Sequence, residues 1–321
     1  QMEFGTDKRL WRRPMEVQFF DTFGYTNHAG AYFTLLSGIS GGLLLHAWNK
    51  DEMRRHAWWL GLTLLLNALG AIFSLSRAGI LLTAILLMGG GLYGVFFLWR
   101  RLRPAEKLSL WMVLGLVLIL GAFLYVAIPD NVVRREVEKI ELLKLHQQFL
   151  GDRQLLSQGA LEIWKDHPWV GVGGWGFRRY VSMYLGEEHW DYLQQAGRAN
   201  VHNDFLQFLC EHGIVGLGLI LGIIFILVAQ IWIRLIRMPK PLEAEAVEDR
   251  VWLMRVSPIV WGILAGTTAT VIHSTIDLPF RSIAIISVWF IALALAPAFI
   301  PRPPRVKQSS LDATRHRRHV S

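Results

Sequence analysis

The sequence predicts an all-α polytopic membrane protein with about seven transmembrane helices and a large external (periplasmic) helical loop between the fourth and fifth. Of 321 residues, 53% are hydrophobic before 29 glycines are added, and 18% are charged. Soluble domains run near ~45–50% apolar and ~25% charged. The apolar residues also gather into uncharged runs long enough to cross a hydrocarbon core of about 30 Å, which takes roughly 20 helical residues. Finally, the lysines and arginines alternate between the two sides of those runs. Together these features exclude a soluble enzyme and a disordered chain, and the single cysteine, Cys210, excludes a disulfide framework.

The runs lie near Gly30 to Trp48, Ala57 to Leu75, Ala78 to Trp99, Leu108 to Ile128, Gly213 to Ile233, Val256 to Ile276 and Ser282 to Ile300. One face of the alternating connections carries Lys50, Arg54 and Arg55, then Arg100, Arg101, Arg103 and Lys107, then Arg234, Arg237, Lys240, Arg250 and Arg255. The tail after the last run adds Arg302, Arg305, Lys307, Arg315, Arg317 and Arg318. The short connections on the other face hold Arg77 and Arg281. The positive-inside rule makes the basic face cytoplasmic. The formal net charge of +8 is thereby explained by membrane topology, and no nucleic-acid partner is expected.

This orientation divides the chain into a first membrane part (residues 1–128), an external helical cap (129–203), the last three spans (204–300) and a basic cytoplasmic tail (301–321). The cap has helical patterns of its own: Val133, Val137, Ile140 and Leu143, then Phe177, Tyr180, Val181 and Tyr184. Its aromatics Trp164, Trp169, Trp175, Tyr180, Tyr184, Trp190 and Tyr192 suit a membrane interface or a surface for stacking sugar rings. An external start followed by an inward span implies further spans ahead of Gln1.

The residues suited to chemistry cluster on the external side. Arg77 interrupts two apolar runs in a connection too short to leave the membrane surface. A snorkelling helix-end arginine is the plain reading. The positive-inside tendency and the small neighbours Ser74, Ser76 and Gly79 favour a functional cation instead. Gly151-Asp152-Arg153 reads as the opening of a helix running to Asp166-His167-Pro168, with Asp152 as N-cap and Arg153 in the first turn, where the helix dipole favours an anion. By position alone a solvated charge explains Arg153 as well.

Gly171, Gly173 and Gly176 match G-x-G-x-x-G but lack the strand and βαβ context of a dinucleotide site, so they read as a turn allowing close backbone approach. In Val201-His202-Asn203-Asp204, Asn203 or Asp204 caps the next helix and leaves His202 at the water boundary. There it serves either as a general base or as an interfacial residue. His273 and Asp277, four apart and followed by Arg281, share a helix face if the helix persists that far, and rank as supporting residues. The eleven histidines contain no H-E-x-x-H and no His/Cys metal spacing, so neither a metal nor another cofactor is expected.

Several stretches together resemble the O-antigen ligase and O-antigen polymerase superfamily of bacterial envelope polysaccharide enzymes. They are Phe-Gly-Tyr-Thr-Asn27-His28, Ser-Leu-Ser76-Arg77-Ala-Gly, Gly-Asp-Arg153 followed by Trp164 and Pro168-Trp-Val-Gly171-Val-Gly173, His202-Asn203 before Gly213-x-x-Gly216, and His273-Ser274 with Asp277. Ala78 departs from a position where the family often has glycine. The resemblance implies about a dozen spans, so that this chain would lack its first five. It also implies metal-independent, inverting transfer of a glycan from a polyprenyl-diphosphate carrier to an acceptor hydroxyl on a glycan, lipid or protein, outside the bacterial inner membrane. By position, Arg77 and Arg153 would hold the diphosphate and His202 would activate the hydroxyl. Asn203, His273, Asp277 and Arg281 would line the substrate site. A polymerase of the same superfamily, a small-anion transporter and a noncatalytic scaffold are the competing readings.

Overall fold

The computed structural model describes residues 23, 25–99, 143–186, 200–238 and 255–301. Among these residues the secondary structure is helical throughout. The elements are α1 (Thr26–Trp48), the single-turn α2 (Asp51–Arg54), α3 (Ala57–Phe73), α4 (Arg77–Trp99), α5 (Leu143–Asp166), α6 (Phe177–Tyr184), α7 (Asp204–Ile236), α8 (Pro258–Ser274) and α9 (Ile283–Leu295). Short 3₁₀ turns cover Pro279–Arg281 and Ala296–Phe299. The expected span Leu108 to Ile128, the Val133 to Ile140 pattern, Trp190, Tyr192 and the basic tail lie outside the described residues. Each of the other apolar runs is largely covered by a helix, with α1, α4 and α7 starting ahead of their runs at Thr26, Arg77 and Asp204. By length and composition, Arg77–Phe96 and Asp204–Ile236 are the described helices able to cross a membrane, and Ala57–Phe73 and Ile283–Phe299 are shorter apolar helices.

Helix α1 is the axis of the bundle because its side chains are small. Gly38 and Gly42 meet Gly262 and Gly266 of the antiparallel α8; a Cβ on Gly38 would lie 2.7 Å from the Gly266 Cα, and one on Gly262 2.7 Å from the Gly42 Cα. Paired glycines four apart let helix backbones touch, which is how helices associate where lipid removes the hydrophobic driving force. Gly30 and Gly79 bring α4 equally close, and there Thr34 Oγ1 donates to Gly79 O at 3.1 Å and exchanges a 2.8 Å hydrogen bond with Thr83 Oγ1. The outward faces carry the bulk instead: Leu81, Met88 and Leu92 on α4, and Leu219, Phe225 and Ile226 on α7, are exposed. Polar and small inside with large and apolar outside is the pattern of a helical membrane protein.

Helix α7 joins two apolar cores. Its first turns pack Cys210 with Leu156, Ala160 and Ile163 of α5, Phe177 and Val181 of α6, and Val201. Its far end packs Ile231 and Leu235 with Val260, Ile285 and Trp289. The join is a break at Gly213, where φ is 65°. The turn after α5 satisfies the backbone groups freed there. Val172 and Gly173 N–H donate to Cys210 and Glu211 O at 3.2 and 2.8 Å, and Ile214 and Val215 N–H donate to Pro168 and Trp169 O at 2.9 and 3.1 Å. The expected role of the Gly171 to Gly176 glycines as a close-approach turn is therefore realised. Gly171 has φ 65°, and a Cβ on it would lie 2.4 Å from the Glu211 carbonyl carbon.

The reading of Asp152 as an N-cap is corrected. Helix α5 begins at Leu143, so Gly151, Asp152 and Arg153 lie inside it. The stretch before them contains no proline, and a lone glycine costs a helix only about 1 kcal/mol. Arg153 therefore gains nothing from a helix amino terminus. The expected stop at Asp166-His167-Pro168 is observed.

The Gly171 contact yields a stability test. Gly171→Ala combines left-handed strain with a backbone clash and is expected to lower unfolding stability by about 2–4 kcal/mol. Gly218→Ala, a helical position with open space around it, is expected to change little or to stabilise slightly. Thermal unfolding in detergent reads both.

Candidate active site

Four helix ends meet at one end of the bundle. The amino ends of α1 and α4 pack together through Gly30, Ser74 and Ser76. The carboxyl end of α8 and the segment after it reach the amino end of α1 through Asp277, and reach the amino end of α7 through three consecutive residues of the 202–204 stretch. His202 Nδ1 lies 3.5 Å from Asp277 Oδ1. Asn203 Nδ2 donates to Thr275 O at 3.1 Å while its Oδ1 caps α7 by accepting from Leu206 N at 3.0 Å. Asp204 Oδ2 accepts from Phe280 N at 2.9 Å.

His202 adopts φ 55°, a left-handed conformation rare for a side chain of its size. Such strain, of order 1–3 kcal/mol, persists where the surroundings enforce it, and here the Asn203 and Asp204 contacts do so. The imidazole remains 29% exposed, so it faces both Asp277 and the open end of the bundle.

Asp277 is buried and is the most heavily bonded side chain of the site. Tyr25 Oη donates to its Oδ1 and Oδ2 at 3.2 and 3.0 Å, Leu278 N donates to Oδ1 at 2.8 Å, and Asn27 Nδ2 donates to Oδ2. Burial alone would raise this carboxyl. His202, the Leu278 N–H and the Tyr25 hydroxyl outweigh it and hold the group below the ordinary carboxylate range.

The expected His273–Asp277 face is not formed. Helix α8 ends at Ser274, and Asp277 turns to Tyr25, Asn27 and His202. His273 is buried beside them, with both ring nitrogens lacking a hydrogen-bond partner. The structure also engages two expected substrate-binding residues internally. Asn203 spends both side-chain atoms on the cap and Thr275. Arg281 pairs with the fully buried Glu211 at 2.5 Å and lies 4.8 Å above the Trp175 ring.

Arg77 is exposed at the first position of α4, directly after the Ser76 contact with Gly30. Arg153 lies half-buried on α5, which packs against α7, and its charge acts weakly on the Tyr25 hydroxyl. Neither arginine has a side-chain hydrogen bond or ion pair among the described residues. Tyr25 and Asn27 escape a reading by spacing because their partner is about 250 positions away; the only sequence signal was their place in the Tyr-Thr-Asn27-His28 stretch. Beside the site, an apolar groove of about 410 Å³ runs between α4 and α8, lined by Leu82, Ile85, Leu86, Trp261, Leu264 and Ile272. Among the described residues, no group of three or more His, Cys, Asp or Glu is arranged to hold a metal ion.

A family model described as O-antigen ligase matches residues 62–221, a range that contains Arg77, Arg153 and His202. The chain belongs to the O-antigen ligase-like superfamily. Its members are glycosyltransferase-like integral inner-membrane enzymes of polysaccharide biosynthesis, with ligase or polymerase activity. No curated protein matches the chain.

The different surroundings of the arginines predict different costs on removal. Arg281→Ala leaves Glu211 as an uncompensated buried charge and is expected to cost about 3–5 kcal/mol of stability. Arg77→Ala, at an exposed position, is expected to stay within about 0.5 kcal/mol of the parent. Denaturation of the two purified variants separates a structural arginine from one available to a ligand.

Proposed function

We propose that this protein transfers a glycan from a polyprenyl-diphosphate carrier to an acceptor hydroxyl on the outer face of the inner membrane, as an O-antigen ligase-like enzyme. The observation that carries the reading is His202, solvent-reachable, strained and backed by an ionised Asp277, at the end of the bundle that also holds Arg77, which has no ion-pair partner among the described residues.

In this reading the acceptor hydroxyl gives its proton to His202 as its oxygen attacks the anomeric carbon. The bond to the diphosphate oxygen breaks on the opposite face, so the anomeric configuration inverts. Negative charge grows on the departing diphosphate, and Arg77 and Arg153 stabilise it without a metal ion; such preorganised cations act where charge develops. Asp277 keeps the imidazole oriented and offsets its positive charge once protonated, the role an aspartate plays behind a histidine base. The apolar groove between α4 and α8, whose lining residues nearest this end are Leu82 and Ile272, would take the first prenyl units of the carrier. Seven spans and an external cap over residues 129–203 fit this arrangement, because both carrier and acceptor then meet on the non-cytoplasmic side.

The test uses a lipid-linked oligosaccharide and membranes carrying endogenous acceptors. His202→Ala is expected to reduce transfer by about 10²–10⁴-fold. Arg77→Ala and Arg153→Ala are each expected to cost roughly 10²-fold or more. All three variants should remain folded in detergent. Undiminished product from His202→Ala would remove this residue as the base, and uptake of a labelled anion by liposomes with no consumption of lipid-linked glycan would favour a transporter.

A further inference from the structure

We propose that Tyr25 and Asn27, at the amino end of α1, are positioning residues for the His202 base and act through Asp277. The inference rests on the reading of His202 given above and adds residues that lie outside the matched range of the family model.

The geometry is a short chain of donors. Asn27 Nδ2 donates to Tyr25 Oη at 2.9 Å and also to Asp277 Oδ2, and Tyr25 Oη donates to both carboxylate oxygens. The Leu278 N–H takes a further position on Oδ1 at 2.8 Å. An ionised carboxylate offers about four acceptor sites. These donors occupy both oxygens and fix the plane of the group, and His202 Nδ1 lies 3.5 Å from Oδ1, in ion-pair range but without hydrogen-bond geometry. The negative charge held beside Nδ1 favours the tautomer with its proton on that nitrogen and leaves Nε2 to accept from a hydroxyl. Burial and the Asp277 charge raise the Tyr25 phenol far above its ordinary range, so it stays a donor across the working pH range. The arrangement ties the first described helix to the base: a shift of α1 against α8 would release Asp277 and, with it, the imidazole.

Other charged or titratable groups also face Asp277: His28 from α1, Arg153 through Tyr25, His202 and Asp204 at the start of α7, and His273 from α8. All of them remain in the variants below, so a change in pH dependence reports the lost donors.

Tyr25→Phe removes one oxygen and keeps the ring that packs edge-on against His28 at 5.0 Å. Release of polyprenyl diphosphate from a lipid-linked oligosaccharide, in membranes carrying endogenous acceptors, is measured against pH for the wild type, Tyr25→Phe, Asn27→Ala and Asp277→Asn. Where orienting partners of a functional imidazole have been removed from metal ligands, the loss is about 10–100-fold, and a fall of that size in kcat is expected for Tyr25→Phe and Asn27→Ala, with KM nearly unchanged. With fewer donors, the carboxylate pulls harder on the His202 proton, so the acid limb of kcat/KM should move to higher pH in both. It should move to lower pH in Asp277→Asn, where the charge is gone. Asn27→Ala leaves the aromatic packing intact and carries the test if Tyr25→Phe misfolds. Wild-type kcat and an unmoved acid limb in both variants, with His202→Ala inactive, overturn this inference and leave the reading of His202 standing. An active His202→Ala overturns that reading itself.

Discussion

The architecture of the site depends on the joining of the amino end of α7 to the segment that follows α8. His202, Asn203 and Asp204 each reach across to Asp277, Thr275 and the Phe280 N–H. Because the contacts come from consecutive residues, none can move without the others. The left-handed backbone at His202 is the local cost of this register, and it is offset by a capped helix on one side and a buried aspartate on the other. His202 is thus held by backbone geometry as much as by its own side-chain contact, which suits the role of base proposed for it.

A second constraint brings the remaining cations to the same end. Small residues along α1 let α8 and α4 approach until backbones touch, and this close packing sets the heights at which Asp277 and Arg77 emerge. On the side of α5 and α6, the Pro168 to Gly173 turn satisfies the backbone groups freed at Gly213, so the break in α7 is a built feature at which the helix passes from the core it shares with α5 and α6 to the core of the bundle. Beside this junction the buried Glu211 pairs with Arg281, which links α7 to the segment after α8.

The helices were legible in the sequence because uncharged apolar runs leave few other conformations, and Arg77 and His202 stood out because each interrupts its surroundings chemically. The Gly171 to Gly176 turn was legible from its context after Asp-His-Pro. At Arg153 the sequence misleads, because Gly-Asp reads as a helix start whereas α5 runs through it. The His273–Asp277 pairing failed for a related reason: spacing of four implies contact only while the helix continues, and α8 ends one residue after His273. Tyr25 and Asn27 were out of reach of local patterns, since their meaning comes from Asp277, in the segment between the last two described helices. Arg281 shows the converse limit, as an external arginine in a short connection looks the same in sequence whether it faces a ligand or a buried glutamate.

The claim at the centre of this account is that one ligand touches groups from α4, α5 and the start of α7 together. Cryo-electron microscopy of the protein with a bound polyprenyl diphosphate tests it most directly. The account predicts diphosphate oxygens within hydrogen-bonding distance of both Arg77 and Arg153, the prenyl chain along the Leu82 to Ile272 groove, and His202 facing the phosphate end. Diphosphate density away from these arginines, or a prenyl chain on the opposite side of the bundle, would contradict it.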